Sequence, residues 1–333
     1  MKSKISHLIF IAVAIILAAV FIWLTVRQTN FEVLKTAAES ANYFWFALSM
    51  ILSIVSYWLR AARWKLLLDP IGYPIPVSSG FWAISFAYFM NLTIPRSGEL
   101  ARATSLYKME KVPVDKSLGI IILERVIDLM FLGLFFGLAL IFNADTLFSF
   151  FSFADASSLG KFSIAAGLLI LLILLFFVFR GRFGKIKIFK KADNFITGII
   201  EGFKSILHLK QRTSFILYSV GIWFCYFLMT YLVVFAFPET SNFGLAEGFF
   251  LIVAGALGMI LPAVGGLGYP YVMSIAFAAI YLTKGQTAEE GRMVGNYFGL
   301  MLYFAQIISM LLFGFLSIYF IARFSREKSE QIE

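Results

Sequence analysis

Long apolar stretches separated by short polar segments dominate the chain. A helix needs about 20 residues to cross a bilayer, and six stretches approach that length. They lie at roughly 8–26, 43–60, 119–142, 162–179, 213–237 and 296–322. The pattern predicts an all-α polytopic membrane protein with about six full spans.

Two further apolar stretches are broken in the middle. One runs from Phe81 to Pro95, and the other runs from Gly248 to Leu282 with an interruption at 262–268. Neither arm is long enough to cross a bilayer, and backbone that stops inside the membrane must be covered by protein or line a wet cavity. Such interrupted segments in matching positions of two halves are typical of a transporter's binding site. We therefore expect two re-entrant hairpins.

The distribution of Lys and Arg favours one topology. If both broken segments turn back and the N-terminus is cytoplasmic, 22 basic residues lie inside and five outside, with Arg125 within a span. If the first segment crosses instead, the numbers become 8 and 19. The positive-inside rule selects the first arrangement, with both termini cytoplasmic. The two hairpins then enter from opposite sides, as in an inverted repeat.

This topology divides a single integral membrane domain, 1–333, into two halves. The first half covers about 1–179 and the second about 213–322, and a basic cytoplasmic linker, about 180–212, joins them. From about 192 onward the linker interleaves apolar and basic residues, which favours a helix lying on anionic lipid. A soluble connector is the alternative.

Composition agrees with a membrane protein and excludes several function classes. The chain is 60% hydrophobic and 14% charged, and its mean hydropathy is +0.87. The net charge of +9 is better explained by asymmetry across a membrane than by nucleic-acid binding. The single Cys225 excludes an internal disulfide, and the two distant histidines make a metal site improbable. No catalytic set and no cofactor motif is found, so we expect neither a metal nor a cofactor.

Charged residues near or within the spans are the candidate binding residues. Arg60 and Arg63 are three apart and share a helix face, where they either bind an anion or anchor to lipid phosphates. Glu124, Arg125 and Asp128 lie within the third full span. Charges there cost roughly 2.5–3.5 kcal/mol each, so they normally face the interior and are paired. This group is either a structural ion-pair network or part of a substrate site.

The turn after the first broken segment combines Asn91 and Pro95 with the polar sequence Arg96–Arg102. Pro95 and Gly98 break the helix and free backbone N–H groups, and a helix N-terminus beside an arginine can bind an anion. We expect Glu99 to pair with Arg96 or Arg102, or to accept a proton. A surface turn with an ordinary salt bridge is the alternative.

The second broken segment contains Gly265, Gly266 and Gly268. These glycines permit backbone conformations closed to other residues and close approach of a ligand. Because no charged side chain lies between Gly248 and Leu282, polar recognition here would come from the backbone and from two tyrosines, Tyr269 and Tyr271.

Taken together, these motifs resemble the lysylphosphatidylglycerol synthase transmembrane region, also called the flippase-like or UPF0104 family. The resemblance covers most of the chain. The matching segments are Arg60-xx-Arg63-Trp64 with Leu67-Leu68, Asn91-xxx-Pro95-Arg96-x-Gly98-Glu99-xx-Arg102, Glu124-Arg125-xx-Asp128 and Leu261-Pro262-xx-Gly265-Gly266-Leu267-Gly268. It implies an integral membrane protein that moves lipids or lipid-linked precursors between leaflets.

The chain departs from the family pattern in two respects. Val264 and Tyr271 occupy the places of a common proline and glutamate, so a coupling role for that glutamate does not carry over. Family members that synthesise lysylphosphatidylglycerol also have a large soluble domain. This sequence ends eleven residues after the last span, so we do not expect synthesis by this chain alone.

The leading hypothesis is a translocator for an anionic lipid or lipid-linked substrate. Arg96, Arg102 and Arg125 would neutralise phosphate, and the three acidic residues would orient them or exchange protons. The Gly265–Gly268 turn would form the outer gate. Two alternatives remain: a membrane-embedded lipid-modifying transferase with Glu99 or Asp128 as acid or base, and a non-transporting partner of a separately encoded synthase.

Overall fold

The computed structural model describes residues 31–94, 97–155, 211–260 and 268–330, which form nine α-helices and no strand. The expected spans at 8–26 and 162–179, residues 180–210 of the linker, and Pro95, Arg96, Gly265 and Gly266 lie outside these residues. The helices are α1 (Phe31–Ser40), α2 (Tyr43–Leu68), α3 (Val77–Thr93), α4 (Gly98–Glu110), α5 (Val114–Asp155), α6 (Arg212–Tyr231), α7 (Leu245–Ile260), α8 (Gly268–Thr283) and α9 (Ala288–Glu330).

Four of these helical segments are long and apolar enough to cross a membrane. They are Tyr43–Ile71, Val114–Phe153, Arg212–Ala236 and Ala288–Lys328. They correspond to the spans expected at 43–60, 119–142, 213–237 and 296–322. Two of them, Tyr43–Ile71 and Ala288–Lys328, extend beyond the expected bounds because hydropathy marks only the apolar part of a helix. The Val114–Phe153 segment is longer also because it continues past a kink at Asn143, where the backbone is not helical. The protein is therefore an all-helical, multi-pass membrane protein.

Both broken segments form helical hairpins. In the first, the Ser79 hydroxyl near the start of α3 donates a hydrogen bond to Glu110 at the end of α4. In the second, Lys284 just after α8 pairs with Glu247 at the start of α7, at 2.9 Å. Each hairpin therefore turns back and brings its two ends together.

The ends of the two hairpins lie at opposite ends of the bundle. Glu110 of the first hairpin is 3.7 Å from Lys328, near the end of α9. Lys284 of the second hairpin precedes the first residue of α9 by only four positions. Because α9 is a continuous helix of 43 residues, about 65 Å long at 1.5 Å per residue, these two points are far apart.

Close packing fixes α9 against both hairpins. A Cβ added to Gly295 would lie 2.6 Å from the Met273 carbonyl oxygen of α8, so a glycine is needed for the two helices to approach. Further along α9, Gly314 lies against Phe89 of α3. The rings of Trp82 and Phe320 stack there with centroids 4.1 Å apart.

Candidate functional site

Arg60 and Arg63 of α2 both bind one carboxylate of α5. Arg60 lies 3.0 Å from one oxygen of Asp128, and Arg63 lies 3.1 Å from the other. Both arginines are buried, and Arg63 is fully so. They share a helix face because they are three residues apart, and α2 turns that face towards α5. Their side chains therefore point into the protein rather than towards lipid phosphates.

A second buried pair joins α4 to α5. The Arg102 guanidinium donates two hydrogen bonds to Glu124, at 2.6 and 3.3 Å, and both side chains are buried. The guanidinium also lies 3.8 Å from the centre of the Trp64 ring. A bidentate contact and a cation–π contact hold this side chain in one orientation. Arg102, one of the two expected partners of Glu99, pairs with Glu124 instead.

The third pair lies at the surface of the cluster. Arg125 Nε donates to Glu99 at 2.9 Å, and both side chains are about half exposed. Arg125 is also 3.7 Å from Asp128, which connects this pair to the buried one. The position of Arg96, the other expected partner of Glu99, lies outside the described residues.

Asn91 connects the two helices of the first hairpin. Its side-chain oxygen accepts a hydrogen bond from the Gly98 N–H at 2.8 Å and so caps the start of α4. A Cβ at Gly98 would lie 2.5 Å from the Ala87 carbonyl oxygen, which explains the glycine. One N–H group of the expected anion site is therefore already bonded within the protein.

A small, half-open cleft lies between α2, α3, α4 and α5 at this cluster. Its lining residues are Arg60, Ile84, Ala87, Tyr88, Asn91, Gly98, Glu99, Arg102 and Arg125. Three arginines and one carboxylate reach the cleft. Arg63, Glu124 and Asp128 are not among the lining residues. Asp128 accepts a hydrogen bond from Arg60, and Glu124 accepts one from Arg102, so each carboxylate orients an arginine of the cleft. The cleft therefore presents positive charge supported by buried carboxylates.

Two residues of α6 complete the cluster, and neither was predicted from the sequence. Tyr226 accepts a hydrogen bond from Arg60 Nε, and Ser219 accepts one from Arg63 Nη1 at 3.4 Å. Their spacing of seven residues, about two helical turns, places them on one face. This spacing was the only sequence feature that could have indicated a shared polar face. It is inconspicuous because both residues lie inside an apolar stretch. The second half of the chain thus contributes directly to the arginine cluster.

Gly268 is the only glycine of the Gly265–Gly268 turn among the described residues. Gly268 begins α8, where its carbonyl oxygen would be 3.0 Å from a Cβ placed on Gly258. Tyr269 is buried, whereas Tyr271 is partly exposed. Gly268 does not line the cleft, and Gly265 and Gly266 lie outside the described residues.

The charges of the described cluster do not cancel. Arg60, Arg63, Arg102 and Arg125 face only three carboxylates, those of Glu99, Glu124 and Asp128. One positive charge is therefore in excess, which favours an anion in the cleft. Within the described ranges, no group of three His, Cys, Asp or Glu side chains is arranged to hold a metal ion.

The fold and the site define a multi-pass helical membrane protein with a paired arginine–carboxylate cluster between its helices. The sequence model of the family described as the lysylphosphatidylglycerol synthase TM region matches residues 9–309. The chain belongs to this family.

A curated relative supports the membrane assignment. The chain is 26% identical over 170 residues to the UPF0104 membrane protein MJ1595 of Methanocaldococcus jannaschii. The match covers 50% of the chain and 49% of the relative, so the chain spans about half the length of that protein. No solved structure matches the chain with statistical significance.

Proposed function

We propose that the protein moves an anionic lipid, or a lipid-linked precursor, between the leaflets of the cytoplasmic membrane. One observation is central: three arginines line a cleft inside an apolar helix bundle, and the cluster around them has an excess of positive charge. Ionisable groups within a membrane are costly and usually mark substrate pathways. Membership of a lipid-related family agrees with this function.

In this mechanism the cleft shelters the head group while the acyl chains stay in lipid. Asp128 fixes Arg60, and Glu124 fixes Arg102, so that these donors are oriented before a phosphate arrives. Arg125, which is half exposed, meets the phosphate first. Arg96, three residues before Glu99 in the sequence, would add a further positive charge. Guanidinium groups suit this role because they bind phosphate through two parallel N–H groups.

The two hairpins suggest how access alternates. We place the Glu110 end of the bundle in the cytoplasm, because α9 ends there with Arg323, Arg326 and Lys328. The α3–α4 hairpin then enters from the cytoplasmic side and the α7–α8 hairpin from the outer side. This opposed arrangement is the one used for alternating access around a central site, with the Gly265–Gly268 turn as the outer gate.

A leaflet-exchange assay tests the proposal. The purified protein is reconstituted in liposomes containing a head-group-labelled anionic lipid, and a membrane-impermeant quencher is added. We expect the wild type to expose inner-leaflet label, and Arg125→Gln and Arg96→Ala to lose most of this activity. Arg323→Gln is the matched control, because Arg323 forms an exposed pair with Glu327 away from the cleft.

The opposite result has a defined meaning. If the wild type matches empty liposomes with several anionic lipids and with a polyprenyl phosphate, the translocator proposal fails. A lipid product of changed mass would then support a transferase. Stoichiometric purification with a synthase, without activity of the chain alone, would support a partner role.

A further inference from the structure

The ion pairs of the arginine cluster differ in exposure. The side chains of the Arg102–Glu124 pair, and those of Asp128 with Arg60 and Arg63, are at most 11% exposed. The side chains of Arg125 and Glu99 are 50% and 49% exposed, at the mouth of the cleft. A buried carboxylate cannot leave its arginine without stranding a charge, whereas an exposed one can turn into water.

We propose that the Glu99 carboxylate competes with the anionic ligand for Arg125. In the unliganded cleft the Glu99 carboxylate occupies Arg125, and a monoanionic phosphodiester binds by displacing it. The inference deepens the proposed function and rests on it only for the location of the site. It assigns Glu99 a role in setting affinity, which differs from orienting an arginine or exchanging a proton.

Charge and geometry support this exchange. Arg125 keeps a second acidic neighbour, Asp128 at 3.7 Å, so its guanidinium stays in place when Glu99 leaves. Glu99 lies in the first turn of α4, and its release requires only side-chain rotation. Once Glu99 turns away, the remaining cleft presents three arginines to the ligand.

Competition of this kind lowers the apparent affinity. The measured dissociation constant equals the intrinsic constant divided by the fraction of protein in which Arg125 is free of Glu99. Removing the carboxylate therefore strengthens binding, whereas a carboxylate that merely orients Arg125 would weaken binding when removed. These opposite signs distinguish the two roles.

The test is equilibrium binding by calorimetry to the full-length protein in detergent. The probes are glycerophosphoglycerol, dihexanoyl phosphatidylglycerol and inorganic phosphate, which separate a head group, a lipid and a free phosphate. We expect Glu99→Gln to bind glycerophosphoglycerol about fivefold more tightly than the wild type, since half-exposed pairs are weak. Arg125→Gln should bind at least about tenfold more weakly.

Two further variants make the test specific. The double variant of Glu99→Gln and Arg125→Gln should bind like Arg125→Gln alone, because the competitor has no effect once its arginine is gone. Glu327→Gln, which removes the carboxylate of a similarly exposed arginine pair, should leave binding unchanged. Thermal unfolding of each variant verifies folding.

Two results would overturn the inference. One is binding by Glu99→Gln that equals or falls below that of the wild type. The other is an absence of binding by both proteins for every probe. Leaflet exchange is measured separately. Stronger binding by Glu99→Gln, without leaflet exchange by the wild type, would support the inference and reject the proposed function. Leaflet exchange by the wild type, with the same affinity in Glu99→Gln, would support the proposed function and reject the inference.

Discussion

One oxygen of Asp128 accepts a hydrogen bond from Arg60 and the other accepts one from Arg63, so a single carboxylate of α5 holds two arginines of α2. Asp128→Asn would leave two buried guanidinium groups without their anion. We expect a loss of about 3–5 kcal/mol in the free energy of unfolding. Thermal unfolding in detergent measures this loss, and Glu327→Gln is the control. If Asp128→Asn were as stable as Glu327→Gln, the contact of Asp128 with the two arginines would be unimportant for stability.

Arg102 should not tolerate lysine. An ammonium group cannot make the bidentate contact with Glu124 and stacks less well on Trp64. We expect Arg102→Lys to lower the free energy of unfolding by about 1–3 kcal/mol. Arg323→Lys, at an exposed pair, should change it by less than about 0.5 kcal/mol. Chemical denaturation compares the two, and indistinguishable midpoints would refute the expectation.

The Tyr226 hydroxyl should matter more than its ring. Tyr226→Phe keeps the ring but removes the acceptor for Arg60 Nε, so one buried donor of a charged group loses its partner. We expect a cost of about 1–3 kcal/mol and reduced leaflet exchange. Tyr218→Phe, on the same helix and outside the arginine cluster, is the control. A larger effect at Tyr218 than at Tyr226 would show that the contact between halves is unimportant.

Glycines of α9 should differ from those of α5 in their response to alanine. Gly295→Ala places a Cβ 2.6 Å from the Met273 carbonyl oxygen and should destabilise the protein by about 1–3 kcal/mol. A Cβ at Gly133 of α5 meets nothing within 4 Å. Gly133→Ala should therefore be neutral or stabilising by up to about 1 kcal/mol. The free energy of unfolding of both variants tests this expectation. A larger loss of stability for Gly133→Ala than for Gly295→Ala would contradict the packing described for α8 and α9.

The Glu247–Lys284 contact should contribute stability that depends on pH. Burial alone would raise the pKa of Glu247, but hydrogen bonds from Lys284 and the Gly244 N–H outweigh it and lower the pKa below the usual 4.5. A lowered pKa in the folded state adds stability above the unfolded pKa, and this stability disappears as the pH falls through the folded value. Glu247→Gln should therefore melt below the wild type at pH 7, and the difference should shrink below about pH 4.5. A difference that grows in acid would contradict this.

The sequence predicted the apolar helices better than the contacts between charged side chains. Hydropathy indicated the described spans because membrane insertion requires long apolar runs. The spacing of Arg60 and Arg63 indicated a shared face because helical geometry is local. Spacing could not identify Asp128 as their common partner, since that contact depends on how α2 packs against α5.

The expected partners of Glu99 show the same limit. Its helical neighbour Arg102 was an obvious candidate, but Trp64 and Glu124 hold that side chain elsewhere. Arg125 became the partner of Glu99 through the packing of α4 on α5. Tyr226 was missed because a tyrosine in an apolar helix is usually part of the core. Ion pairs between helices depend on how the helices pack, so a single sequence indicates which charged residues are available but not which of them pair.

The length of α9 has a mechanical consequence for the two hairpins. Its first half packs against α8 through Gly295, and its second half packs against α3 through Gly314. The two hairpins therefore share α9 as a packing surface. A movement of one hairpin that displaces α9 also changes the surface against which the other hairpin packs.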